Sequence, residues 1–265
     1  MMYKPRGMEN KMSQSESRNT KWNSIYKLGG IAAFGAVLVG ILEILITFLP
    51  GGNTSQETVL DWFILFQDNP FMGLRNMGLL NIFLNALAIL AYLALYATHQ
   101  KTNERPFASL ATLISFLGIG IFFATNRAFP MLALSNQYAA ATTVAQRAML
   151  EAAGQSMLSV GASHSPGTFL GFFFVEAAGV LISVAMLRGG VFSKVNAYAG
   201  ILGFAILLVF EYFSSFVSGL TDVTRMLAMF GGLLSMFWYI LLARNLFHLG
   251  RIASEELRND KEDEI

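Results

Sequence analysis

The chain has 265 residues, 54% of them hydrophobic and only 13% charged, with a formal net charge of +1. Soluble domains carry roughly a quarter charged residues, so at a mean hydropathy of +0.52 an aqueous globule is excluded and the bilayer is the expected solvent. Cysteine is absent, which excludes disulfides, thiolate metal sites and cysteine nucleophiles.

A run of about 20 apolar residues is long enough to cross a bilayer, and six such runs follow one another along the chain. Residues 1–26 form a polar tail whose first 20 residues, rich in Ser, Asn and Lys, are expected to be solvated and disordered. The first span covers 28–49. Its apolar core is too long for a secretory signal and "TFLPGG" lacks a small-x-small cleavage pattern, so it should remain as an anchor. In the following loop, Thr54 stands three residues before Glu57 in capping-box spacing, which predicts a short amphipathic helix ended by Pro70. The second span, 73–96, opens with Arg75 and carries Asn81 and Asn85; the third, 107–129, closes with Arg127 and holds "GIGIFF", a close-packing face. Another amphipathic helix is predicted over 142–158, started by a Thr143–Gln146 capping box and supported by Arg147 and Glu151 at i,i+4. The fourth span, 168–188, contains Glu176, the fifth, 195–217, contains Glu211, and the sixth, 226–248, follows Arg225. Residues 251–265 read as a charged, disordered tail. The expected fold is one all-α polytopic domain over residues 27–250, with no internal repeat.

Loop Lys and Arg set orientation. Lys4, Arg6, Lys11, Arg18, Lys21 and Lys27 precede the first span, Lys101 and Arg105 lie in the second loop, Arg188 and Lys194 in the fourth, and Arg244, Arg251, Arg258 and Lys261 at the end. Only Arg75, Arg127, Arg147 and Arg225 fall on the other side. Both termini are therefore expected in the cytoplasm, and the two amphipathic helices in the first and third outer loops.

Glu43, Glu176 and Glu211 lie inside spans at similar depth, roughly 10 Å below the outer boundary at 1.5 Å per residue. Each shares its helical stripe with small residues: Ala36, Gly40 and Thr47; Gly179 and Ser183; Gly203 and Ser214. Small residues mark close helix contacts in lipid, so each carboxylate should face protein. Asn81 reaches the same depth, with Asn85 on the same face, and Arg75, Arg127 and Arg225 cap that side. Intramembrane carboxylates pair, protonate or line water. Two readings follow: an outward-facing polar pocket for a small solute, ion or lipid group, or carboxylates that merely join helices in a non-catalytic accessory protein. An intramembrane enzyme using paired carboxylates is a third.

No recognisable chemistry motif accompanies them. There is no H-E-x-x-H, and His99, His164 and His248 fall in three separate places, so no metal site is expected. "GASHSPG" is G-x-S-x-S rather than a nucleophile elbow. No cofactor is implied, and the basic residues are too dispersed for a nucleic-acid patch.

The runs "QYAAATTVAQR" (137–147) and "FSKVNAYAGIL" (192–202) resemble a family of bacterial membrane proteins known as domain of unknown function 4386. The likeness covers most of residues 25–250. It implies a multi-spanning bacterial inner-membrane protein and transfers no catalytic residue.

Overall fold

A computed structural model describes residues 6–49 and 56–262. They form the helices α1 (Arg6–Thr47), α2 (Val59–Asp68), α3 (Pro70–Asn76), α4 (Leu79–Thr98), α5 (Arg105–Thr125), α6 (Ala128–Ala140), α7 (Val144–Gly161), α8 (Phe169–Gly189), α9 (Lys194–Phe216) and α10 (Thr221–Glu262), with no strand among the described residues. Six of these, α1, α4, α5, α8, α9 and α10, contain segments long and apolar enough to cross a membrane. The chain is an all-α multi-pass membrane protein.

The six spanning helices pack as a closed ring in chain order: α1 on α4, α4 on α5, α5 on α8, α8 on α9, α9 on α10, and α10 back on α1. Short connections favour antiparallel sequential neighbours, and an even number of crossings brings the two ends of the ring together. Asn23 Nδ2 donates to Ser254 Oγ at 2.7 Å across the α1/α10 seam. The interior is filled by Tyr92, Ile182, Met186, Trp238 and Leu242, all buried. Large apolar side chains such as Ile31, Leu113, Leu202 and Leu233 point outwards, as lipid contact requires. Small residues set the helix separations: a Cβ added to Gly118 would sit 2.9 Å from both Gly171 O and Val175 N, so α5 and α8 meet backbone to backbone.

At the end away from the termini, α2, α3, α6 and α7 build a cap with its own core. Phe63 and Phe66 are fully buried against Met77, Ala128 and Met131, and each contributes about 2 kcal/mol by leaving water. Ser135 Oγ donates to Phe63 O at 2.9 Å, tying α6 to α2. The α7 capping box forms as expected, with Thr143 Oγ1 accepting from Gln146 N and the Gln146 side chain accepting from Thr143 N.

Several boundaries depart from expectation. Thr54 lies outside the described residues, and the box that starts α2 is Thr58 with Asp61, immediately before the apolar run at Val59. Pro70 opens α3 rather than merely ending α2, with Asn69 serving as C-cap of one and N-cap of the other. The second span is broken at Met77–Gly78, where Gly78 adopts φ +91, a left-handed conformation that side chains resist. The third ends at Thr125 and restarts at Ala128. Asn126 links the two breaks, its Nδ2 donating to Met77 O at 3.2 Å and its Oδ1 accepting from Ala128 N at 3.1 Å. Arg147 and Glu151 do not pair with each other. The arginine donates to Ala141 O and the carboxylate accepts from Tyr138. Finally, α1 begins at Arg6 and α10 runs to Glu262, so stretches expected to be disordered continue the membrane helices. Neither helix contains a proline, and elongating an existing helix avoids the nucleation cost.

Candidate functional site

The three intramembrane carboxylates converge beneath the cap. Glu43 is four residues from the end of α1, Glu176 seven from the start of α8, and Glu211 five from the end of α9, which places all three within about 10 Å of the capped end.

Glu43 Oε1 lies 2.6 Å from Arg75 Nη2. The Arg75 side chain is buried; it also donates to Glu43 O and to Asn76 Oδ1, each at 3.0 Å, and to Thr47 Oγ1. One guanidinium thus pins α3 to the end of α1. The Glu43 side chain remains 43% exposed, so this pair sits at the mouth of the cluster.

Glu211 is deeper, with 1% of its surface exposed. Its Oε2 accepts from His164 Nδ1 at 2.7 Å, and its Oε1 lies 3.4 Å from Ser215 Oγ. His164 comes from the turn between α7 and α8, where it adopts φ 55. Phe172 and Phe210 flank its ring at 4.5 and 4.8 Å, and Ser214 Oγ donates to its carbonyl at 3.3 Å. A left-handed residue without the freedom of glycine costs roughly 1–2 kcal/mol, here balanced by ring contacts and a charge-assisted hydrogen bond. His164 also stands within electrostatic reach of Glu43, joining the two pairs into one network.

Glu176 differs from both. Its Oε2 is sealed from solvent and has no hydrogen-bond partner. Glu211 and the hydroxyls of Tyr92 and Tyr239 lie within electrostatic reach. The Tyr92 and Ser115 hydroxyls face each other without hydrogen-bond geometry, and they too are buried and unpartnered, as are Asn85 Oδ1 and Trp238 Nε1. Buried polar atoms are almost always satisfied by protein or ordered water. Five such atoms lie in the ring interior, an environment of acceptors, hydroxyls and aromatic faces.

Asn81 and Asn85 line α4 on this side. Asn85 Nδ2 donates to Asn81 O at 2.9 Å, and the Asn81 side chain lies beside Gly78 with Asn126 and Ser163. Two of the three expected counter-charges are elsewhere. Arg127 donates to Ala124 O at 2.6 Å and Asn126 O at 3.2 Å, satisfying carbonyls that the end of α5 leaves open. Arg225 is exposed and faces Asp222 at 3.5 Å within the first turns of α10. Arg75 faces Glu43 instead, and the unforeseen His164 donates to Glu211. Among the described residues, no group of three or more His, Asp or Glu is arranged to hold a metal ion.

No protein-family model matches the chain, and no curated protein or solved structure is similar enough to be matched.

Proposed function

We propose that the cluster beneath the cap binds a small solute or ion that presents hydrogen-bond donors or positive charge, and that Glu176 is its principal acceptor. The observation that carries the reading is the sealed, unpartnered Glu176 Oε2 among the Tyr92, Tyr239 and Ser115 hydroxyls. A carboxylate near the membrane interior without a partner costs several kcal/mol unless it is neutral or filled. A donor-bearing guest removes that cost. Glu43 with Arg75 and Glu211 with His164 form the walls, and Asn81 and Asn85 add amides. In the same proposal the termini are cytoplasmic, on the distribution of Lys and Arg. The site then opens on the outer face of a bacterial inner membrane, in a member of the domain of unknown function 4386 family.

The test is Glu176→Gln, which keeps shape and removes the charge. Protein purified from its native membrane is examined by native mass spectrometry, and its thermal unfolding is followed with added alkali cations and small amines. A retained small molecule, or a stabilising shift, that disappears in Glu176→Gln while the unliganded midpoint persists supports binding. Identical behaviour of the two proteins removes it.

A second reading has its own support. Glu43 and Glu211 already have hydrogen-bond partners within the protein, and α7 presents exposed Val144 and Met149. The carboxylates then serve as helix junctions in an accessory protein, and a stoichiometric protein partner retained on co-purification, with no small molecule, favours it.

A further inference from the structure

Where α1 and α10 close the ring at the terminus end, a recess opens beside their seam. Ile31 and Phe247 form its apolar wall, and Lys27, Arg251 and Arg258 its cationic rim. An adjoining recess shares Phe247 and Arg251 and adds Arg244 and His248. Among the described residues Glu255 is the one carboxylate lining either recess, facing Arg251 at 4.0 Å. Lys27, Arg244 and Arg251, again among the described residues, outnumber that carboxylate and leave a positive excess.

The recess is shaped by close backbone approach. A Cβ on Gly250 would stand 3.1 Å from Lys27 Cγ, and one on Gly30 would stand 3.0 Å from the Phe247 ring. The two glycines let the Lys27 stem lie on α10 and the Phe247 ring lie on α1. Phe247 and Arg251 are one turn apart, about 6 Å along the helix. The surface thus changes from apolar to cationic over the distance that separates acyl chain from phosphate in a phospholipid. Trp22 and Tyr26, near the terminus end of the α1 span, mark the interface at this level.

We propose that this groove binds an anionic phospholipid, its phosphate between Lys27 and Arg251 and an acyl chain along Ile31 and Phe247. The charge excess selects against zwitterionic headgroups, and arginine offers phosphate a planar fork of donors. The site is independent of the carboxylate cluster, which lies at the other end of the ring.

The experiment uses the full chain purified in neutral detergent and mixed with phosphatidylglycerol or phosphatidylcholine, with retained lipid quantified by native mass spectrometry. Wild-type protein is expected to retain phosphatidylglycerol in preference. Arg251→Gln and Lys27→Gln, both at exposed positions, should each weaken retention about fivefold, the effect of one basic residue at a membrane surface. Lys101→Gln, also exposed and in a loop at the same end but outside the recess, should leave it unchanged. Gel filtration and unfolding midpoints verify that the variants fold. Equal retention of the two lipids overturns the proposal, as does an equal loss in Lys101→Gln. Soluble glycerol phosphate binding as tightly as the intact lipid does so too, because the apolar wall then has no part.

Discussion

His99 and His164 stand at opposite ends of the same ring and are held in opposite ways. At the terminus end, His99 is completely buried, its Nδ1 donating to Leu95 O at 2.8 Å and its ring stacked on Phe192. Around it helices approach closely, with Gly29 of α1 directly against Ala94 of α4. At the capped end, His164 faces the buried Glu211 carboxylate, and the buried Arg75 faces the part-exposed Glu43. The ring is closed by tight packing at one end and by charge pairs at the other. Close packing suits a permanent seal, whereas paired charges hold an end together and leave groups that can exchange partners with a guest. The capped end is accordingly where a solute site is proposed.

Removing a charge partner should have the largest effect. His164→Ala leaves Glu211 buried without its donor, and breaking such a pair from one side costs about 3–5 kcal/mol. The double variant His164→Ala/Glu211→Leu should recover most of that loss, because replacing both members of a buried pair is often nearly neutral. Unfolding in detergent reads both numbers, and a double variant no more stable than His164→Ala would mean that the pair is not what holds the turn to α9.

The packed end should break differently. Gly29→Ala places a methyl on Ala94 and near Leu246, and overpacking of this kind costs about 1–3 kcal/mol. Gly120→Ala, where nothing lies within 4 Å, should stabilise instead, by up to about 1 kcal/mol. Opposite signs for two glycines in spanning helices confirm that backbone approach, and not glycine content, seals the ring. Matching signs would argue against it.

These contrasts explain what the sequence made legible. The six spans were readable because nothing but lipid selects apolar runs of that length. The carboxylate stratum was readable because Glu inside a span is rare and depth follows from counting residues. Direction was not. Arg127 and Arg225 stand at the right depth, yet one turns to the carbonyls of its own helix end and the other to an exposed aspartate. His164, between two serines in a loop, has the sequence context of any solvated residue; what brings it inward is the pair of rings from α8 and α9. The α2 start was ambiguous for a local reason. "TSQETVLD" offers Thr54 with Glu57 and also Thr58 with Asp61, and the helix begins where the apolar run begins.

Within the cap, α7 takes part in neither mode of closure and should respond modestly. Thr143→Ala removes the side chain that accepts from Gln146 N and should cost about 1 kcal/mol. The loss should appear as faster proteolysis or hydrogen exchange in α7, with the ring helices unchanged. Equal loosening of the ring would show that cap and ring fold as one unit.

The smallest effect expected is a pH dependence centred on His99. Burial holds its imidazole below the ordinary value, while the hydrogen bond to Leu95, the nearby Ala185 backbone and the Glu104 carboxylate pull it back up. The unfolded chain therefore takes up the proton at a higher pH than the folded one. Stability is full above the unfolded value, near about 6.5, and declines as pH falls through it towards the folded pKa. His99→Phe keeps a ring against Phe192 and loses the hydrogen bond to Leu95, so its stability should be lower throughout but flatter across this window. The slope, not the absolute midpoint, is the informative quantity. Unfolding midpoints of the two proteins, measured in the same detergent at closely spaced pH values, separate the cases. A variant slope equal to that of the wild type would assign the titration to another group.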